Sequence, residues 1–228
     1  MKYLYLLLNI GSFIIPFIFS FHPRLKFYRY WKPLILGTML TMLVFIPWDI
    51  IFTINKIWSF NYDYFLGIKI LSLPLEEWLF FILIPYSCIF MHYALLELFP
   101  KMALPGKITG TITNILLLIF VIIALSNYHK LYTLVNFSYA TIVLLLVKIY
   151  RLEILKHFFL TFLVMLIPFF IINGILTGSF IESEVVWYNN NENLNFRIFT
   201  IPVEDIVYAF SLILTNLSFT QFFYRKLN

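Results

Sequence analysis

The chain has 228 residues, of which 62% are hydrophobic and 12% are charged, with a mean hydropathy of +0.91 and a formal net charge of +5. Soluble domains carry about 25% charged residues, so this composition excludes a water-soluble globular protein and indicates an integral membrane protein. The basic residues are scattered over several segments, which does not favour a nucleic-acid-binding surface.

Seven apolar segments approach the roughly 20 residues that a helix needs to cross a bilayer. We therefore predict an all-α integral membrane protein with about seven transmembrane helices. The first segment lacks an Ala-x-Ala-like cleavage site, so we interpret it as a span rather than as a signal peptide. The predicted spans are residues 3–21, 33–54, 74–96, 108–126, 131–147, 158–177 and 201–223.

Lysine and arginine predict the orientation of these spans. Of the 16 basic residues, five fall on the side of the N-terminus and eleven on the other side. Cytoplasmic loops carry the excess of Lys and Arg. We therefore expect a multi-pass protein of a bacterial-type cytoplasmic membrane, with the N-terminus outside and the C-terminus in the cytoplasm.

Two acidic motifs, each at the start of a predicted span, are the most informative local feature. Pro74-Leu75-Glu76-Glu77 recurs 128 positions later as Pro202-Val203-Glu204-Asp205. A proline followed by acidic residues is also an ordinary way to begin a helix. However, carboxylates beside a bilayer are costly and tend to be functional, so the repetition favours a catalytic site.

The repeated motif predicts an internal duplication. Residues 2–6 align with residues 130–134 at the same offset of 128. We predict a tandem parallel repeat of two three-helix units, residues 1–97 and 130–228. A linker transmembrane helix within residues 98–129 returns the chain across the membrane, so that both units enter from the same side.

This topology places both acidic motifs at one depth, where they could face a common cavity. Asp49 and Asn173 fall at a comparable depth. Neighbouring aromatic residues suit either an interfacial belt or a pocket that stabilises a cation. The acidic residues of the two motifs are Glu76, Glu77, Glu204 and Asp205, and the aromatic residues near them include Trp48, Trp78, Trp187 and Tyr188.

Several common catalytic motifs do not occur in this sequence. It has no Gly-x-Gly-x-x-Gly dinucleotide fingerprint, its four histidines are scattered, and no aspartate-rich cluster suits magnesium. We therefore expect no cofactor and no metal. What remains is either redox-neutral proton transfer on a lipid-soluble substrate or a function without chemistry.

Two ordered series of residues carry a family resemblance. The first begins at Trp48-Asp49-Ile50-Ile51 and ends at the first acidic motif, and the second begins at Ile172-Asn173-Gly174, passes Trp187-Tyr188-Asn189 and ends at the second motif. Together they resemble the membrane-integral lycopene cyclases of the heterodimeric bacterial type. Both halves occur here in one chain, as in the fused relatives of that type.

The resemblance implies a lycopene β-cyclase of carotenoid biosynthesis, an intramolecular lyase or isomerase that works without a cofactor on lycopene in the bilayer. A carboxylic acid would protonate C2 of a ψ end, the ring would close through the cation at C1, and a carboxylate would accept the proton lost from C6. By this resemblance, the candidate catalytic residues are Glu76, Glu77, Glu204 and Asp205. Asp49 and Asn173 are candidates to orient these carboxyl groups, and Trp48, Trp78, Trp187 and Tyr188 are candidates to line the cation pocket. The resemblance leaves open which carboxyl group has which role, and whether the rings are β, ε or γ.

Two other functions fit the same pattern. A proton-coupled transporter also has parallel repeats and intramembrane acidic residues. A carotenoid-binding or assembly protein without catalytic activity would have the same apolar composition. The oligomeric state is open.

Overall fold

The computed structural model describes residues 1–227 as a bundle of six helices. Pro74 and Pro105 directly precede α3 and α4, where a missing backbone N–H costs no hydrogen bond. A short 3₁₀ turn, Phe27–Tyr30, leads into α2. The helices are α1 (Leu4–Phe19), α2 (Trp31–Ile54), α3 (Leu75–Leu98), α4 (Gly106–Ser126), α5 (Leu131–Leu176) and α6 (Val203–Leu227).

Helix α5 consists of two segments that meet at Arg151, whose backbone is non-helical (φ −149°, ψ 42°). A straight helix of 46 residues would be about 69 Å long. Yet Tyr132 near its start and Asn173 near its end both donate hydrogen bonds to Asp205. The helix therefore doubles back at Arg151, and its two segments correspond to the fifth and sixth predicted spans.

The lengths and surfaces of the helices are those of a multi-pass membrane protein. Five helices, α2 to α6, are long and apolar enough to cross a bilayer. Large apolar side chains such as Leu43, Leu118 and Ile142 are exposed on their outer faces. Helix α1 is shorter than the span predicted for residues 3–21. It has 16 residues and extends about 24 Å. The predicted all-α membrane fold is confirmed.

Three short antiparallel ladders cover the end of the bundle where the acidic motifs lie, which we call the acidic end. None of these strands was among the predicted elements, because strands of two or three residues leave no periodic signal. One ladder joins the connection that precedes α3 to the connection that precedes α6. The ladders pair β1 (Trp58–Phe60) with β4 (Val186–Tyr188), β2 (Lys69–Ile70) with β3 (Leu73–Pro74), and β5 (Arg197–Ile198) with β6 (Ile201–Pro202).

Equivalent asparagine side chains bind the two acidic motifs. The spacing between these asparagines differs by one residue from the offset used in the sequence alignment. The Asn9 amide donates to the Glu76 carbonyl, and the Asn136 amide donates to the Glu204 carbonyl. These asparagines are 127 positions apart, whereas the alignment of residues 2–6 used 128. That alignment was wrong by one residue, because it matched two lysines outside the helices.

Helices from the two halves pack against each other along α2 and α6. A Cβ atom on Gly37 would lie 2.8 Å from the backbone nitrogen of Thr220. The Asn216 amide donates a hydrogen bond of 3.0 Å to the Thr38 hydroxyl at the same interface. Small residues and hydrogen bonds between helices are what stabilises helix pairs in a bilayer.

Candidate active site

A long cavity of about 550 Å³ runs through the bundle between α1, α3, α6 and the second segment of α5. Its lining begins at Glu77 in the first turn of α3 and reaches Leu98 at the other end of that helix. That distance along α3 is about 30 Å. Most side chains that line it are apolar, and its carboxyl groups are confined to the acidic end.

Three carboxyl groups meet at the acidic end of this cavity. Glu77, Asp205 and Asp49 all line it, and the Asn173 side chain lies among them. The carboxyl groups of Asp49 and Glu77 lie within hydrogen-bonding reach of each other, and the Tyr5 hydroxyl donates to Glu77. The second acidic residue of each motif, Glu77 or Asp205, therefore faces the same cavity.

The first acidic residue of each motif, Glu76 or Glu204, faces away from the cavity. Glu76 accepts a hydrogen bond of 2.8 Å from the backbone N–H of Leu66. Glu204 accepts one of 2.7 Å from the backbone N–H of Leu194 and another of 2.7 Å from the Thr133 hydroxyl. Both glutamates are fully buried. These carboxyl groups hold the connections that cover the acidic end.

Asp205 accepts hydrogen bonds from three different side chains. The Tyr132 hydroxyl donates at 2.6 Å, the Tyr188 hydroxyl at 2.9 Å and the Asn173 amide at 2.8 Å. Burial, followed by the neighbouring Asp205, raises the pKa of the Tyr188 hydroxyl well above its usual 10.0. Tyr188 therefore stays protonated and keeps donating.

Aromatic rings surround the carboxyl groups on the cavity side. The ring centroids of Tyr132 and Tyr188 are 5.9 Å apart in a stacked arrangement, and Trp58 meets Tyr132 edge-on at 5.2 Å. Tyr208 lines the same region. The Trp58 indole N–H also donates a hydrogen bond of 2.7 Å to Asp49. Such rings can stabilise a cation when water is excluded.

A family model described as Lycopene cyclase matches residues 2–95 and 129–223. The chain belongs to the lycopene cyclase family. The first matched range covers α1, α2 and most of α3, the second covers α5 and most of α6, and all of α4 lies between them. No curated protein and no solved structure matches the chain. Membership confirms the predicted family and implies a membrane-embedded cyclase with a carotenoid substrate.

In this cyclase, Tyr188 is the only one of the four predicted pocket aromatics that lines the cavity, and two of the others, Trp187 and Trp78, have their side chains elsewhere. Trp187 is 45% exposed, because its neighbours on β4, Val186 and Tyr188, point inward and alternate residues of a strand face opposite sides. The Trp78 indole donates to the Ile70 carbonyl at 3.1 Å. The structure brings neither of these two side chains into the lining of the cavity.

The other two predicted aromatics of the cyclase lie at the site. Tyr188 lines the cavity. Trp48 is buried one layer behind it, with its ring 5.2 Å from that of Tyr208. Among residues 1–227, no group of three or more His, Cys, Asp or Glu side chains is arranged to hold a metal ion.

The sequence analysis missed two tyrosines of the cyclase site, Tyr5 and Tyr132. They occupy equivalent positions, and each donates its hydroxyl to the second acidic residue of a motif. A signal was present, because Leu-Tyr-x-Leu-x-Asn occurs at residues 4–9 and again at residues 131–136. The alignment at 128 hid this repetition, which appears only at 127.

Proposed function

We propose that this chain is a lycopene β-cyclase that closes the ψ ends of lycopene by proton transfer, without a cofactor. The observation that carries the proposal is the convergence of Glu77 and Asp205, one from each half of the chain, on the acidic end of one long apolar cavity. Membership of the lycopene cyclase family supports the substrate class.

The proposed reaction needs one proton donor and one proton acceptor. A carboxylic acid protonates C2 of the terminal double bond, which leaves a cation at C1. The C5=C6 bond attacks C1 and closes a six-membered ring, which moves the cation to C5. A carboxylate then takes the proton from C6, and the β ring is complete with no net transfer of electrons.

We assign the four candidate carboxyl groups to two pairs with different roles, according to whether they line the cavity. Glu77 and Asp205 line the cavity and are the proposed catalytic residues. Glu76 and Glu204 are the proposed positioning residues, since they hold the backbone N–H groups of Leu66 and Leu194. Asp49 and Asn173 contact the catalytic pair directly.

The rest of the cavity suits a linear hydrocarbon. Its apolar lining along α3 would hold the polyene chain while one end reaches the carboxyl groups. Trp58, Tyr132 and Tyr208 would stabilise the cation at C1 and C5 through their ring faces. Exclusion of water protects the cation from quenching and strengthens these electrostatic contacts.

The proposed orientation places the N-terminus outside and the C-terminus in the cytoplasm. It is supported by the excess of lysine and arginine on the side opposite the acidic motifs. Cyclisation would then take place near the outer surface of a bacterial-type cytoplasmic membrane.

Expression in a lycopene-producing bacterium, followed by chromatography of the pigments, tests the proposal. We expect lycopene to be replaced by carotenoids with β rings. Lycopene that co-purifies unchanged with the protein would reject the proposal in favour of a binding or assembly protein. Unchanged pigment together with solute uptake driven by a proton gradient would reject it in favour of a transporter.

A further inference from the structure

The two halves of the site differ at one pair of corresponding positions. Asp49 near the end of α2 contacts Glu77, and Asn173 near the end of α5 contacts Asp205. Both positions line the cavity. The first half therefore presents two carboxyl groups side by side, whereas the second half presents one carboxyl group beside an amide.

The contact between Asp49 and Glu77 requires a proton. Asp49 is 1% exposed, and its Oδ1 atom accepts from Trp58 at 2.7 Å. Its Oδ2 atom accepts from no donor among residues 1–227. Two ionised carboxylates have no hydrogen to donate to each other, and like charges this close oppose joint ionisation. The pair is satisfied when one proton is shared between its members.

Asp205 has the opposite surroundings. Three groups donate to its two oxygens, namely the hydroxyls of Tyr132 and Tyr188 and the amide of Asn173. Hydrogen bonds of this kind stabilise the charged form of a carboxyl group. Asn173 supplies an N–H but cannot supply an acidic proton.

We infer that the Asp49–Glu77 pair holds the proton that is given to C2, and that Asp205 is the carboxylate that accepts the proton lost from C6. This inference rests on the proposed function. An O–H bond of the pair breaks as the C2–H bond forms, and the C5=C6 electron pair forms the new C1–C6 bond. The C6–H bond then breaks, its electrons form the ring double bond, and Asp205 is protonated. After the product leaves, Asp205 releases its proton to solvent and the pair takes one proton from solvent, so atoms and electrons balance.

Infrared spectroscopy of the purified protein without substrate tests where the proton lies. Asp49→Asn and Glu77→Gln should each remove the carbonyl stretch of a protonated carboxylic acid, and Asp205→Asn should keep it. Glu97→Gln, an exposed carboxyl at the opposite end of α3, is the control that should change nothing. Loss of the band in Asp205→Asn, or its persistence in both variants of the pair, would overturn the inference.

Misfolding could also remove the carbonyl band, so a variant that gains such a band is the complementary test. Asn173→Asp places a second carboxyl beside Asp205 and should add a second protonated carbonyl band. An unchanged spectrum of Asn173→Asp would contradict the argument that the partner at this position decides which carboxyl keeps a proton.

Incubation with lycopene in D₂O separates the two catalytic roles. Asp49→Asn and Glu77→Gln should return lycopene without deuterium, because the first proton transfer is lost. Asp205→Asn should still protonate C2, and so return lycopene labelled at C2 or rings with a displaced double bond. Unlabelled lycopene from Asp205→Asn would overturn the assignment. If the wild type forms no rings, the proposed function fails, while the infrared result still decides the location of the proton.

Discussion

Neighbouring acidic residues in each motif have different surroundings because successive residues of a helix point about 100° apart. Glu77 faces the cavity, and Glu76 faces the connection before α3. Asp205 and Glu204 repeat this division in the second half. On the proposed assignment, each motif combines one catalytic residue with one residue that positions the connection before its helix.

Glu77→Gln and Asp205→Asn should each lower the rate of ring formation by at least about 100-fold, which is the lower range of what a positioned acid or base contributes. Both changes keep the shape of the side chain, so thermal unfolding in detergent should change little. Chromatography of pigments formed by membranes with equal protein content measures the rate. Wild-type rates in both variants would refute the catalytic roles.

Glu204→Ala should lower the stability of the folded protein. Its loss leaves the part-buried Leu194 N–H and the buried Thr133 hydroxyl without their acceptor, and an unsatisfied buried group costs about 1–3 kcal/mol. Thermal unfolding in detergent should show a lower midpoint than the wild type. An unchanged midpoint would show that this carboxyl does not hold the connection before α6.

At the scale of elements, the sequence predicts the long helices well and their connections poorly. Helices of about 20 apolar residues are visible because the bilayer demands them. The connection predicted between residues 147 and 158 is largely helical, since Lys148, Glu153 and Lys156 are polar but favour helix. The ladder between β1 and β4 is invisible because its two strands are far apart in the chain.

The same distinction applies to the site. The acidic motifs, Asp49 and Asn173 could be found from the sequence because they are polar residues within or beside apolar segments. Which of two adjacent glutamates faces the cavity depends on helix rotation, and the inward position of Tyr188 rather than Trp187 depends on the register of β4. Helix rotation and strand register both depend on tertiary packing, which cannot be read from the residue pattern of a single sequence.

The interface between α2 and α6 should tolerate no larger residue at Gly37. A side chain there would meet the backbone of Thr220, and Gly37→Val should destabilise the protein by about 1–3 kcal/mol, as overpacking does. Gly110→Val on α4, where a Cβ meets no atom within 4 Å, is the matched control. Thermal unfolding in detergent compares the two, and equal midpoints would contradict the close approach.

At the scale of the whole molecule, the cavity extends to the lipid-facing surface between α1 and α5. Ile15 and Ile171 both line the cavity and are more than half exposed. Gly11 also lines it, and a Cβ there would project into open space. A substrate dissolved in the bilayer could therefore enter from the side without crossing water.

Gly11→Trp should narrow this opening and slow cyclisation in membranes, while the protein remains as stable as the wild type. Gly110→Trp places the same side chain on α4, away from the cavity, and should leave the rate unchanged. Initial rates of ring formation at several lycopene contents measure the effect. Equal rates for the two variants would show that substrate takes another route.

The most direct test of the account is the reaction of the purified wild-type protein with lycopene in D₂O, without any added cofactor, followed by mass spectrometry of the products. If buried carboxyl groups supply the proton, each ring formed carries one deuterium from the solvent, and its position is C2. Rings that form without deuterium, or lycopene that remains unchanged in active membrane preparations, would contradict the mechanism.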